Sequence, residues 1–403
     1  MTYKITDTVT WVGKIDWELI TFHGKEYSTH RGTSYNSFLI QDKKTVLIDT
    51  VWQPFSKEFI ANLKKETDLN KIDYIVMNHS EVDHSGALPD LMKEIPDTPI
   101  YCTKSGIQVI KGHYHKEWNF VEVKTGDTLD IGENKLTFVE AKFLHWPDTM
   151  FTYLSGENIL FSNDGFGQHF ASEHMFNDLV DKEELYGEAI KYYANILTPY
   201  SGLVTKKIEE ILSFNLPLNM ILPSHGILWR DDITQIVHEY MKWADAYQEN
   251  QITIIYDSMW EATRKMAEAI GKGIKSVDDQ VTVKLFNSAK KDKNDIITEV
   301  FKSKLILVGS STINNGILSS TAAILEMIKG LRFKNKKAAA FGSYGWSGEG
   351  NKIITKELEE SGFEIMNDGI KVLWSPDMEA LDKCMEFGKS LIKELSTGVE
   401  RLS

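Results

Sequence analysis

Two α/β domains in series are predicted: a β-rich first domain over residues 1–249 whose strands end on metal-type side chains, and a doubly wound parallel sheet over residues 250–403. Three observations carry this expectation. At 403 residues the chain exceeds what one ordinary core supports. The stretch His79-Ser80-Glu81-Val82-Asp83-His84 packs four metal-capable side chains directly behind the apolar run Ile72-Asp73-Tyr74-Ile75-Val76-Met77. From Ile252 onward, apolar strands alternate with helical stretches of the length a parallel crossover needs.

The first half opens as a meander. Strands are expected at Val9 to Val12, Trp17 to Phe22, Tyr35 to Ile40 and Thr45 to Asp49, with a turn at Asp42-Lys43-Lys44. A helix follows from about Pro54 to Glu66, with Phe55, Phe59, Ile60 and Leu63 on one face. The apolar run then feeds the polar cluster, and Ala87, Leu88, Leu91, Met92 and Ile95 repeat at helical spacing after it. Short strands are expected at Pro99 to Cys102, Val121 to Val123, Leu136 to Ala141, Met150 to Leu154 and Asn158 to Phe161. Helical patterns cover Lys182 to Leu197, Thr205 to Phe214 and Asp232 to Ala246, with a strand at Asn219 to Leu222. The polar stretch Gln248-Glu249-Asn250-Gln251 reads as the domain boundary.

Composition narrows the function. With 42% hydrophobic residues the chain has the makings of a soluble globular protein. It contains no run of eighteen apolar residues, and its first residues lack the layout of a signal peptide, so no membrane span and a cytoplasmic location are expected. A formal charge of -13, with no stripe of Lys or Arg, argues against nucleic acid as a partner. Only two cysteines occur, Cys102 and Cys384, in no paired motif. That excludes a disulfide framework, a rubredoxin-type iron centre and a cluster held by this chain's cysteines, and both thiols are expected to be buried.

The polar cluster has candidate partners at later strand ends. His145 follows the strand to Ala141, Asp164 follows the strand to Phe161, and His225 follows the strand to Leu222. Together with His79, Glu81, Asp83 and His84 they supply four imidazoles and three carboxylates, enough for two metal ions if one carboxylate bridges. Asp49, at the end of its own strand, is either an orienting partner of a ligand histidine or a strand-end cap. His23, His30, His169 and His174 are candidates for a substrate pocket, and His113, His115 and His238 read as surface residues.

The loop, His145, Asp164 and His225, in that order, resemble the metallo-β-lactamase superfamily, whose fold is an αββα sandwich and whose usual loop is HxHxDH. This chain departs from that loop at Glu81. A carboxylate in place of an imidazole adds a hard oxygen donor and moves the site from zinc toward iron. HxExDH followed by a flavodoxin-like domain resembles the flavodiiron proteins over essentially the whole chain. The resemblance implies that His79, Glu81 and His145 hold one iron, that Asp83, His84 and His225 hold the other, and that Asp164 bridges. It implies a non-haem diiron and FMN oxidoreductase that reduces dioxygen to water or nitric oxide to nitrous oxide. It implies also a head-to-tail homodimer or dimer of dimers. With no paired cysteines before Ser403, the expected electron donor is a separate molecule, either rubredoxin or a reduced deazaflavin coenzyme. The alternative is a dinuclear zinc hydrolase with an accessory flavodoxin-like domain.

In the second half, strands are expected at Ile252 to Tyr256, Val281 to Phe286, Leu305 to Val308 and Ala338 to Phe341, with a fifth near Ile365 or Val372. Three loops at their carboxyl ends are candidates for FMN. The first, Ser258, Met259, Trp260, Glu261, Ala262 and Thr263, offers hydroxyls and helix-start amides suited to a phosphate, although a plain capped turn has the same composition. The second contributes Ser311, Thr312, Asn314, Asn315 and Gly316, and the third Ser343, Tyr344, Gly345, Trp346, Ser347 and Gly348. Trp260, Tyr344 or Trp346 can stack on a flavin ring. Glu261 stands where such phosphate loops usually carry a small residue, so its side chain is expected to point to solvent. No GxGxxG follows a strand, so no dinucleotide is expected.

Overall fold

A computed structural model describes residues 1–399 of the chain. They form two compact units, the first made of Met1–Tyr193 and Tyr200–Ala244, the second of Ala194–Pro199 and Asp245 onward.

The first unit is a sandwich of two sheets. One has the strand order Tyr3–Lys4, Val9–Trp11, Phe38–Gln41, Thr45–Ile48, Ile72–Val76, Ile100–Cys102, Phe120–Glu122. The other runs Thr128–Asp130, Lys135–Glu140, Met150–Leu154, Ile159–Asn163, Met220–Pro223. Period-two alternation explains why the first sheet is buried on both faces. Phe38, Ile40, Val46 and Ile48 turn inward onto Phe138, Met150, Leu154 and Phe161 of the second sheet. Leu39, Leu47 and Ile75 turn the other way, onto Phe59 and Leu63 of the helix Ser56–Glu66 and onto Leu88 and Leu91 of the helix Leu88–Glu94.

Two expectations change here. The strand expected over Trp17 to Phe22 is instead two short ladders, Lys14–Asp16 with Thr33–Tyr35 and Thr21–Phe22 with Tyr27–Ser28. The reason is a turn at His23 and Gly24, both left-handed at φ 51° and 70°, that folds Thr21–Phe22 back on itself as a hairpin. The helix expected over Lys182 to Leu197 is α-helical only through Lys182–Tyr192 and then winds wider as a π-helical segment, Tyr193–Leu197. Apolar spacing over a single turn does not distinguish the two windings.

The second unit is one parallel sheet. Numbered in chain order, Glu249–Tyr256, Thr282–Asn287, Ser303–Gly309, Lys337–Tyr344 and the pair Glu364–Ile365 and Ile370–Leu373 are arranged 2-1-3-4-5. That order places a topological switch point between the first and third strands, where a crevice opens at their carboxyl ends. Polar residues Glu249–Gln251 open the first strand. Gln251 is tolerated inside because its amide donates to Glu299 Oε2 at 2.8 Å and to Ser303 Oγ at 3.2 Å. The helices Ala262–Val277 and Met378–Val399 approach closely at paired glycines. A Cβ on Gly273 would lie 2.0 Å from the Met385 carbonyl, and one on Gly388 would lie 2.3 Å from that of Ile270. Cys102 and Cys384 are both buried and unpaired.

Candidate metal centre and flavin loops

The polar loop is held by its own backbone groups. Asp49 accepts from the Asn78 amide at 2.7 Å and from its side chain at 3.2 Å. Thr50 grips the His84 carbonyl through its amide at 2.8 Å and its hydroxyl at 2.6 Å. Ser85 Oγ donates to the Ser80 and Glu81 carbonyls, closing the single turn Val82–Ser85. Burial pushes the Asp49 carboxyl up to about 6, against the His84 charge and the Asn78 bonds.

Anchored in this way, the loop brings all seven expected side chains together. His79, Glu81 and His145 form one group of donor atoms within 4.8 Å of each other, Asp83, His84 and His225 form a second, and Asp164 joins His79 and His84 in a third. Asp164 divides its two oxygens between the first two groups. Its Oδ2 lies 3.5 Å from His79 Nε2 and 3.4 Å from His145 Nε2. Its Oδ1 lies 3.1 Å from His84 Nε2 and 3.7 Å from His225 Nε2. Donors at right angles around an ion held at about 2.1 Å would stand roughly 3 Å apart. The spacing therefore suits two ions sharing one carboxylate.

Buried acceptors without donors test that fit. Asp164 Oδ2 and Asp83 Oδ1 are enclosed and receive no hydrogen bond. An enclosed, unpaired carboxylate oxygen is costly, and a cation is the partner that removes the cost. Electrostatics agree. Burial disfavours ionisation of Asp164 and Glu81, yet the surrounding imidazoles hold both carboxyls well below the usual range. Burial likewise disfavours the His84 cation, but Asp83 and Asp164 outweigh it and push His84 up to about 9.

Ring orientation comes from partners outside the group. His225 Nδ1 donates to the Ser34 carbonyl at 2.7 Å, which turns Nε2 toward Asp83 at 3.0 Å. His79 Nδ1 meets Asp148 Oδ1 at 3.2 Å, and the Ser80 amide donates to Asp148 Oδ2 at 2.8 Å. Asp148 is a residue that sequence reasoning missed. Its signal was its place three residues after a strand-end histidine. Asp49, considered as the orienting group, holds Asn78 instead of a histidine.

Of the four pocket candidates, two are in place. His23 Nε2 lies 3.0 Å from Glu81 Oε1. His169 is buried with its ring centroid 4.9 Å from that of His225 and its Nδ1 2.8 Å from Thr33 Oγ1. Burial, reinforced by His225 and His23, holds it well below the usual histidine range. His30 and His174 are exposed, as are His113, His115 and His238. A cavity of about 340 Å³ reaches Glu81 and Asp83 past Leu19, Phe22, His23 and Trp52.

The three candidate flavin loops meet at the switch point of the second unit. Thr263 Oγ1, Ser311 Oγ and Ser343 Oγ, one from each loop, lie 3.0 to 3.1 Å apart in a closed triangle. Ser258 Oγ is enclosed without a partner. Hydroxyls gathered at the start of the helix Ala262–Val277 fit a phosphate group. Asn314 and Asn315, both left-handed, turn the hairpin between Thr312–Ile313 and Gly316–Ile317. Gly348 lies against the Tyr344 ring, Lys371 stands over that ring at 5.3 Å, and Trp260 and Trp346 are largely exposed.

Comparison with known proteins follows the same division. A family described as ODP family beta lactamase matches residues 33–226, and the flavodoxin family matches residues 254–388. An anaerobic nitric oxide reductase flavorubredoxin of Klebsiella pneumoniae is 56% identical over 396 residues, which is 98% of this chain and 82% of that protein. The solved rubredoxin oxygen:oxidoreductase of Desulfovibrio gigas superposes with a TM-score of 0.95 at 36% identity, covering 99% of this chain and 100% of that one. The flavodiiron protein of Giardia intestinalis superposes at 0.94 with 32% identity, covering 100% and 98%. Among the described residues, no helix is long and apolar enough to cross a membrane. With a sandwich on which seven metal-capable side chains converge, a flavodoxin unit following it in sequence and relatives of this identity along 98% of its length, the chain belongs to the flavodiiron protein family.

Proposed function

We propose that this chain reduces nitric oxide, and secondarily dioxygen, at two irons held by His79, Glu81 and His145 and by Asp83, His84 and His225, with Asp164 bridging. The observation that carries the assignment is the division of the Asp164 oxygens between two histidine groups. Nitric oxide is placed first because a relative 56% identical is named for it, whereas the oxygen-named structure is 36% identical. Iron held by these residues would supply the redox chemistry for reducing the gas, and FMN held by the second unit would supply the electrons.

The chain supplies the surroundings. Leu19, Phe22, Trp52 and Val82 make the cavity wall apolar, which favours a small gas over water. His23, beside Glu81 and partly open to solvent, is positioned to carry a proton on Nε2 into the cavity. Asp148 fixes the orientation of His79. Residues 1–249 make up the metal domain and 250–403 the FMN domain, whose three loops receive the phosphate and the ring. Electrons come from a separate donor, rubredoxin or a reduced deazaflavin coenzyme. The assembly is a head-to-tail homodimer or a dimer of dimers, supported by the family resemblance. A dinuclear zinc hydrolase is not favoured, because Glu81 adds a hard oxygen donor and the flavin loops are intact.

The test is anaerobic. Protein reduced through a rubredoxin system is mixed with either gas while flavin absorbance is followed, with metal content measured in parallel. Two irons and one FMN per chain, with faster reoxidation by nitric oxide than by dioxygen, is the expected result. Zinc in place of iron, with a flavin that reacts no faster than free FMN, would refute it. A second expectation concerns Asp148. Asp148→Asn should weaken iron retention by about 10–100-fold in a chelator competition, because His79 loses the carboxylate that sets its tautomer.

A further inference from the structure

Glu261 precedes the helix Ala262–Val277 with φ +66°, a left-handed conformation that favours glycine. Its carboxylate makes no capping bond to the helix amides. Oε2 instead accepts from Arg264 Nε, and Arg264 Nη1 donates to Glu268 Oε1. One guanidinium is thus shared by two carboxylates on the exposed flank of the loop.

The loop holds a second acid. Asp257 Oδ1 accepts from the Ser258 amide at 2.7 Å, and its Oδ2 accepts from Ser320 Oγ. From Asp257 through Arg264 the sequence therefore carries two carboxylates and a single cation. The same loop presents the unpartnered Ser258 Oγ and the Thr263 hydroxyl, which suit a phosphate dianion. A carboxylate one residue from the helix-start amides competes with such a ligand for the same positive field.

We propose that Arg264 makes this loop compatible with the FMN phosphate by holding Glu261 out on the solvent side, so that the Glu261–Arg264 pair sets how tightly FMN is retained. The proposal rests on the FMN-binding reading above. Without Arg264, the Glu261 carboxylate is released and repels the phosphate. Without Glu261, Arg264 keeps its Glu268 partner but has no carboxylate to hold away from the phosphate. The two residues are therefore coupled, and the coupling involves the phosphate and not the flavin ring.

Flavin-free full-length protein, titrated with FMN or with riboflavin and read by quenching of flavin fluorescence, tests this without reference to turnover. Arg264→Ala should weaken FMN binding by about fivefold at low salt, in keeping with exposed charge pairs, and less at high salt. Glu261→Gln should leave FMN affinity equal to the wild type or a few-fold tighter. The double variant should return to within about twofold of wild type. Riboflavin, lacking the phosphate, should bind all four proteins alike. Equal weakening in Arg264→Ala and in the double variant would overturn the proposal, as would an equal loss for riboflavin. Wild-type protein that binds riboflavin and FMN equally, or neither, would overturn the phosphate-site reading and the proposal with it.

Discussion

Asp164→Asn is expected to empty both halves of the metal centre at once. Each Asp164 oxygen faces a different histidine pair, so in the proposed centre its charge would serve two ions. An amide keeps the shape but removes that charge, and it puts an NH₂ donor where one of the two ions would need an acceptor oxygen. Ser224 Oγ, which donates to Asp164 Oδ1 at 2.9 Å, shows which oxygen the asparagine retains as its acceptor. The NH₂ then falls on the side of His79 and His145. Loss of an orienting partner outside the ligand set costs about 10–100-fold in metal affinity. Loss of a charge serving two ions should cost roughly a thousandfold or more, taking nitric oxide reduction with it. Metal analysis after gel filtration is the direct measurement. Retention of two irons per chain would show that Asp164 does not bridge.

Gly226→Ala should be among the most destabilising single changes in the first unit. Gly226 follows His225, at φ +73°, and a Cβ there would lie 1.5 Å from Gln168 Oε1 and 2.2 Å from the Gln168 carbonyl. Backbone cannot yield as a side-chain tip does. Gln168 is itself committed, since Oε1 accepts from the Ile227 amide at 2.7 Å and Nε2 donates to the Ile227 carbonyl at 3.0 Å. Displacing it leaves two buried backbone groups unpaired, at about 1–3 kcal/mol each, with about 1–2 kcal/mol more for the left-handed alanine. A total of about 3–8 kcal/mol is comparable to the whole stability of many domains. The expected result is a lowered Tm of the first unit together with loss of metal, because His225 moves with its neighbour. Gly24 is the control. It has φ +70° but open space around its missing Cβ, so Gly24→Ala should cost only the strain, about 1–2 kcal/mol. Equal Tm values for the two variants would show that the clash with Gln168 is relieved cheaply.

Much of the site was legible because strands advertise their ends. Apolar runs such as Ile72–Val76 and Ile159–Asn163 stop where polar ligands begin, and a sheet gathers such ends along one edge. Glu81 was legible as a departure from the histidine usual in its loop, and with it the shift toward iron. The flavin unit was legible in its strand and helix alternation. The division of labour among the histidines was not. His23 and His30 lie seven residues apart and look alike in sequence, yet only His23 reaches Glu81.

By itself the sequence determined the two-domain α/β class, the seven candidate ligand residues and the loops after the parallel strands, since these follow from local periodicity and residue chemistry. Only the tertiary structure decided which atoms meet. Asp148 finds His79 across 69 positions, and the Ser34 carbonyl finds His225 across 191. Asp164 faces two ways because strands from both sheets converge on it. Contacts at such separations are set by sheet order and strand register, which side-chain periodicity along one segment does not encode.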